Sequence, residues 1–292
     1  MKKITQKFKI LFFIIITFTI LFKCSDCLNY FFQDNKNISP LFSRDFKEVP
    51  SDIFITPSQL KQKLRINPNL ILIDTRVNNQ YNNLKIPNSI HMPIYSIKTK
   101  SFLKNSQLVL INEGYAYDPL IEEVKQLVNQ GFRFVRVLHG GIKSWYKSGG
   151  KLIGDLYYMN NLSTISINKF LLDKDYQNVR IIIVIPHDKN NYYYIPDAIS
   201  IRWRENNLKK NVENLCDHIN QTIEITELYT IIIDNDGSLH DSILANVEQK
   251  VTSTIFFLEN GINGIKEYLA SQSSQKSTQQ KKTRNQKCPY CN

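Results

Sequence analysis

The sequence predicts two α/β domains in tandem, each a mostly parallel central sheet flanked by helices. Three observations carry this. Short apolar runs alternate with amphipathic stretches from residue 55 to residue 270. The same order of elements is written twice. The strand-like runs are continuously apolar rather than alternating, which is the pattern of strands covered on both faces. With 292 residues, 42% hydrophobic and 11% aromatic, the chain has ample material for two cores.

Taken in order, MKKITQKFK carries four lysines and leads into the unbroken apolar run Ile10–Phe22. A spanning helix wants about 20 apolar residues, so the shorter run reads as a secretory signal peptide over residues 1–27. The small-residue pair Ser25 and Cys27 would start the mature chain at Leu28, and the product would be periplasmic or secreted. Left uncleaved, the same run would anchor the protein in the membrane. Residues 28–54 read as a linker.

The first domain spans residues 55–154. Thr56 as N-cap and Pro57 at the first helical position predict a helix over TPSQLKQKL. A strand follows at Leu70–Asp74, then KIPNSIHMPI, then the strand LVLI ending at Ile111. After a loop from Asn112 to Asp118, a helix is expected from Asp118-Pro119, with Leu120, Val124, Leu127 and Val128 on one face and Gly131 as its stop. The strand RFVRVL and the run HGGIKSWYKSGG close the unit. The second domain, residues 155–270, repeats it as SINKFLL, RIIIVI, YIPDAISIRW, TIII, DNDGSLHD, SILANVEQKV, TIFFL and ENGINGIKEYL. Gly141 and Gly261, like Trp145 and Ile265, stand 120 residues apart, whereas Pro87 and Pro196 stand 109 apart. An insertion, polar and helical, is therefore expected at about residues 206–228.

A net charge of +11 invites a nucleic-acid reading, but the charge sits at the ends. Residues 1–27 hold five lysines and one aspartate, and residues 271–292 hold five Lys/Arg and no acid, leaving 27 basic against 25 acidic residues between. The globular part is nearly neutral, so no nucleic-acid partner is expected, and membrane contact is confined to the N-terminal segment if it stays uncleaved. The Gln/Ser/Lys-rich tail, 271–292, has the composition of a disordered arm.

Five cysteines make no disulfide framework. Cys24 and Cys27 flank the processing site, and Cys216 in NVENLCDHI reads as a buried apolar residue. Cys288-Pro-Tyr-Cys291 is followed only by Asn292, so no helix can lower a thiol pKa there. A labile disulfide, a thiol pair on a tether or half of a zinc site are the readings open to it. His187-Asp188-Lys189 and His240-Asp241 have no second ligand at usable spacing, and neither a metal nor a cofactor is expected.

Asp74-x-Arg76, IPNSI, strand-loop-helix and LHGGIKSW, in that order, resemble the rhodanese domain, and residues 55–270 resemble two-domain rhodaneses. The second copy keeps IPDAISI and ENGI but reads IPHD at the D-x-R site. In active members the resemblance implies sulfur transfer by a cysteine at the first loop position, whose thiolate carries a persulfide. Aligning the strands places Asn112 and Asp234 at those positions, and neither has sulfur to offer. Glu113, Asp118, Asp236 and Asp241 would also repel anions such as thiosulfate.

The resemblance therefore implies a pseudoenzyme without a catalytic residue, a binding or structural interaction module with a protein or small-ligand partner. The alternative is a thiosulfate- or 3-mercaptopyruvate-type sulfurtransferase, or a thiol-redox protein, using Cys288 and Cys291 on their tether. Two candidate ligand loops stand out: Asn112, Glu113, Gly114, Tyr115, Ala116, Tyr117 and Asp118, and then Asp234, Asn235, Asp236, Gly237 and Ser238. In the first, the small Gly114 and Ala116 leave backbone N–H groups free to converge on an acceptor, unless the loop only joins strand to helix. Asp74 and Arg76 read as a structural pin after a strand, and Trp145 as core.

Overall fold

The apolar runs become strands where they are expected, and short edge strands join them. The computed structural model describes residues 51–173, 179–186, 195, 198–204, 206–221 and 229–285. The expectations for residues 1–50, His187 to Lys189, Cys288 and Cys291 lie outside these. The first half runs β1 (Phe54–Ile55), α1 (Pro57–Ile66), β2 (Ile71–Asp74), α2 (Asn78–Asn83), β3 (Leu84–Lys85), β4 (Ile90–His91), α3 (Ile94–Ile97), β5 (Gln107–Ile111), α4 (Tyr117–Asn129), β6 (Phe134–Leu138), α5 (Gly141–Lys147) and β7 (Ile153–Gly154). The second runs α6 (Tyr158–Asn161), β8 (Thr164–Ile165), α7 (Ile167–Asp173), β9 (Val179–Ile185), β10 (Ile199–Arg202), α8 (Leu208–Asn220), β11 (Tyr229–Ile233), α9 (His240–Val247), β12 (Ile255–Leu258) and α10 (Gly261–Asn285).

Two five-stranded sheets result, in the orders β1-β6-β5-β2-β4 and β10-β9-β11-β12-β8, with every neighbouring pair parallel. They are one topology written twice. Val137 pairs with Phe54 as Phe257 pairs with Thr164, which carries the 120-residue spacing of the glycines into the sheet register. A small antiparallel ribbon of β3 and β7 completes the first half. Both sheets lie in one compact unit.

Local chemistry sets the element ends. The hydroxyl of Thr56 accepts from the Gln59 N–H, the Gln59 side chain accepts from the Thr56 N–H, and Pro57 needs no donor, so α1 starts there and buries Leu60. On the first sheet Leu60, Leu72, Val109, Ile111, Ile142 and Trp145 form one core layer. The expected insertion folds as α8, whose stripe of Val212, Leu215, Cys216 and Ile219 covers the second sheet together with Ile243 and Val247 of α9. Cys216 is thus part of a core. No helix among the described residues is long and apolar enough to cross a membrane.

Two expectations are corrected. The tail was expected to lack structure from residue 271, yet α10 continues unbroken to Asn285. Nucleation is the costly step of a helix, and here the first turns are fixed by Ile262 and Ile265, both wholly buried, so the Gln- and Lys-rich continuation needs only propagation. Helix α4 begins at Tyr117 rather than Asp118, for a reason that lies in the second half of the chain.

Candidate functional site

Asn112 follows β5 directly and is buried. Its Oδ1 accepts from the Gly114 N–H at 3.0 Å, and its Nδ2 donates to the Tyr115 carbonyl at 2.8 Å, so both ends of the amide are spent on shaping their own loop. The Asn112 carbonyl accepts from the Ile142 N–H at 3.0 Å. That close approach needs glycine at 141, where φ is +54° and an added Cβ would stand 2.4 Å from the Gly114 nitrogen.

The N-cap of α4, Ala116, has a left-handed φ of 57° and no side chain able to cap. The cap comes from Asp173, the last residue of α7. Its carboxylate accepts from the N–H groups of Tyr117 (2.8 Å) and Asp118 (2.9 Å) and from the Tyr229 hydroxyl (2.7 Å). The Tyr117 hydroxyl in turn accepts from the Gly140 N–H at 2.8 Å. Burial pushes the Asp173 carboxyl up, against the pull of those three donors, and burial likewise raises the hydroxyls of Tyr117 and Tyr229. An acceptor from the second half thus holds the N–H groups that would otherwise be free for an outside anion.

More of the second half closes over the loop. Phe256 sets its ring edge-on to Tyr115 and Tyr229, at centroid distances of 5.2 and 5.4 Å. From α5, Lys143 reaches across to donate to Ser163 Oγ (2.7 Å) and the Ile255 carbonyl (3.1 Å), and it pairs with Glu248 at 3.3 Å. Burial draws its pKa down, opposed by Glu248. Lys147, one turn on, donates to the Ser253 carbonyl at 2.6 Å, and burial lowers it to about 8. The carboxyl ends of β5 and β6 therefore rest on the amino ends of β11 and β12. Of the loop 112–118, only Glu113 and Asp118 keep partial exposure.

The second loop has the same internal frame, and no lid covers it among the described residues. Asp234 Oδ1 accepts from the Gly237 N–H and Oδ2 from the Leu239 N–H, both at 2.9 Å, and His240 Nε2 lies 3.4 Å from Oδ1. Its carbonyl accepts from the Ile262 N–H at 2.9 Å, as that of Asn112 does from Ile142. Asp236 and Ser238 are exposed, Asn235 and Gly237 half-buried, and the Asp236 carboxylate accepts from the Ser238 N–H.

Burial alone would raise the Asp234 pKa, but the bonds from His240, Leu239 and Gly237 outweigh it and hold the carboxyl below its usual range. A depressed folded-state pKa contributes stability above the unfolded value and loses it as pH falls through the folded one. The stability gap between the native protein and Asp234→Asn should therefore shrink on acidification from pH 7 through the ordinary aspartate range, about pH 4. Urea midpoints at a series of pH values measure this, and parallel curves for the two proteins would refute it.

Asp74 and Arg76 hold the turn after β2, where Asp74 stands beside Ile111, the residue that precedes Asn112. The Arg76 guanidinium donates Nε to Asp74 Oδ1 (2.9 Å) and Nη2 to Oδ2 (2.7 Å), and Nη2 also donates to the Leu84 carbonyl. Both side chains are wholly buried. Trp145 packs in the core and donates its indole N–H to the Lys151 carbonyl. Reading the sequence missed Asp173, Tyr229 and Lys143. One signal was present: an acid as the last residue of a helix sits against the macrodipole, which favours cations at that end.

Comparison with known proteins places residues 56–148 in the family model described as rhodanese-like domain. No curated protein matches the chain. Among solved structures, a Bacillus halodurans protein is similar at 23% identity over 35% of this chain and 77% of its own, with a TM-score of 0.32. The rhodanese-like domain of an Anabaena sp. protein is similar at 25% identity over 36% and 81%, also with a TM-score of 0.32. A thiosulfate sulfurtransferase from Pseudomonas aeruginosa reaches 17% identity over 72% of this chain and 41% of its own, at a TM-score of 0.31. The likeness to a rhodanese-like domain is thus carried by the stretch from residue 56 to residue 148.

Proposed function

We propose that the chain is an exported tandem rhodanese-like protein, inactive as a sulfurtransferase through either loop, which acts as a binding or structural interaction module. The observation that carries this reading is the chemistry of the two residues that begin the loops. Sulfur transfer needs a thiolate, and the resemblance sets Asn112 and Asp234 where it would stand. Both side chains are already engaged with their own loops' N–H groups, which removes the anion cradle along with the nucleophile. Cys216, the free cysteine among the described residues, lies on the buried face of α8 with its thiol pushed up by burial, so it cannot serve instead. Support for export is the lysine-led apolar run Ile10–Phe22.

The test is thiocyanate release from thiosulfate or 3-mercaptopyruvate in the presence of cyanide, with mass spectrometry for persulfides. The expected result is no turnover above the protein-free control and no persulfide on residues 51–285. Turnover that disappears in Cys288→Ser/Cys291→Ser would move the chemistry to the tail. Turnover that survives in that variant would overturn the reading.

A further inference from the structure

The two sheets share one strand order, so their registers say which residues occupy the same place in each. Through β1 and β6 against β8 and β12, Arg133, Phe134, Val135 and Arg136 stand where Ser253, Thr254, Ile255 and Phe256 stand. Gln107 likewise matches Tyr229, since the partners of β5 and β11 are those same strands. Lys63 matches Asp173, each eight residues beyond the paired Ile55 or Ile165.

In the second sheet these positions make up the face on which the first domain sits: Asp173, Tyr229, Phe256 and the carbonyls of Ser253 and Ile255. In the first sheet, Lys63, Gln107, Phe134 and Arg136 instead line an open groove of about 550 Å³. Phe134 is 51% exposed at its rim, and every residue that lines it lies between Asp52 and Arg136. The Val135 carbonyl, counterpart of the one that receives Lys143, is met by the guanidinium of its own neighbour Arg136 at 3.0 Å. Among the described residues the first domain thus carries the unfilled form of a docking face that is filled in the second.

Charge identifies the occupant. Where the filled face has Asp173, Ser253 and Phe256, the open one has Lys63, Arg133 and Arg136, with Asp52 the acid at its rim. A loop end bearing lysines would be repelled. The complementary surface is the loop end of the second domain, which no other described residues cover and where the exposed acids Asp236, Asp241, Glu259 and Glu267 outnumber the exposed bases Arg202, Arg204 and Lys266. Glu267 stands in α10 where Lys147 stands in α5, 120 residues earlier, and Asn263 where Lys143 stands, so of the two lysines that cross the filled interface one is replaced by an acid and the other by a neutral amide.

We propose that the second-domain loop end of one copy docks in the first-domain groove of another, repeating between chains the contact made within each. Every copy then has one donor face and one acceptor face, a heterologous arrangement that extends into a ring or a filament. The inference deepens the reading as an interaction module by naming a second copy as the partner. Thiocyanate release tests that reading without regard to assembly, so the two can fail separately.

Sedimentation velocity of the mature chain across rising concentration should show mass growing beyond one copy, and less growth at high salt, because exposed charges are screened. Lys63→Glu/Arg136→Glu disables the acceptor and Asp236→Asn/Glu267→Gln the donor, which is neutralised rather than reversed so that it has no attraction for the altered acceptor. Each variant should remain a single chain, with circular dichroism and melting as the native controls for folding. Mixed in equal amounts they should double in mass and stop, since each retains one working face. A native protein that stays single at every concentration, charge variants that assemble like it, or a mixture that forms no two-chain species would each overturn the proposal.

Discussion

Asp173→Ala should lower the unfolding free energy by about 3–5 kcal/mol, among the largest effects expected of single substitutions outside the apolar core. The carboxylate takes three donors, two from the backbone of α4 and one from Tyr229, and its removal leaves the Tyr117 N–H and the Tyr229 hydroxyl buried, and the Asp118 N–H part-buried, without that acceptor. Against this stands the relief of taking a charge out of a buried site, which offsets part of the loss. Asp173→Asn separates shape from chemistry. The amide fits the space but offers one acceptor oxygen, and turns an N–H group toward a donor, so it should recover little of the loss. Urea unfolding reads both variants, and hydrogen exchange at residues 112–118 should quicken in each. An unfolding midpoint for Asp173→Ala equal to the native one would show that the clasp contributes nothing.

Asp74→Ala is expected to cost about as much, roughly 3–5 kcal/mol, by a different route. It strands the Arg76 guanidinium in a wholly buried position with the Leu84 carbonyl as its remaining acceptor. Most of the loss is then the unpaired charge rather than the pair itself. Asp74→Ala/Arg76→Met should accordingly be more stable than Asp74→Ala alone, because it buries no charge at all. A double variant no better than the single one would mean that the hydrogen bonds, and not the stranded charge, set the cost.

These two sites differ in how far the sequence discloses them. Asp74 and Arg76 are two residues apart at the end of an apolar strand, and everything the pair does is local, so the motif itself speaks of a pin. The same holds for Thr56 and Gln59, whose spacing is a capping box. Asn112 was placed by the strand-loop-helix order around it. That its loop is roofed was not legible, because the roof comes from residues 55 or more positions away. Asp173 looks in isolation like a solvated residue at a helix end, and Lys143 like a polar position between Ile142 and Trp145. A rule based on local periodicity cannot tell a lysine that faces water from one that faces a carbonyl on another sheet. The tail failed for a similar reason: its composition favours disorder, but its start is welded to a core that composition does not register.

The seal over the first loop also has a schedule. Lys143 lies 112 residues ahead of Ile255, so the strand it anchors to leaves the ribosome last. At usual rates of synthesis this is a delay of roughly 6–20 s. Throughout it Tyr115, Tyr117 and the nitrogen atoms at the head of α4 are without the residues that later cover them. A nascent chain in that interval displays a sticky aromatic end that the finished molecule never shows, and translation speed over the second half decides how long it does so.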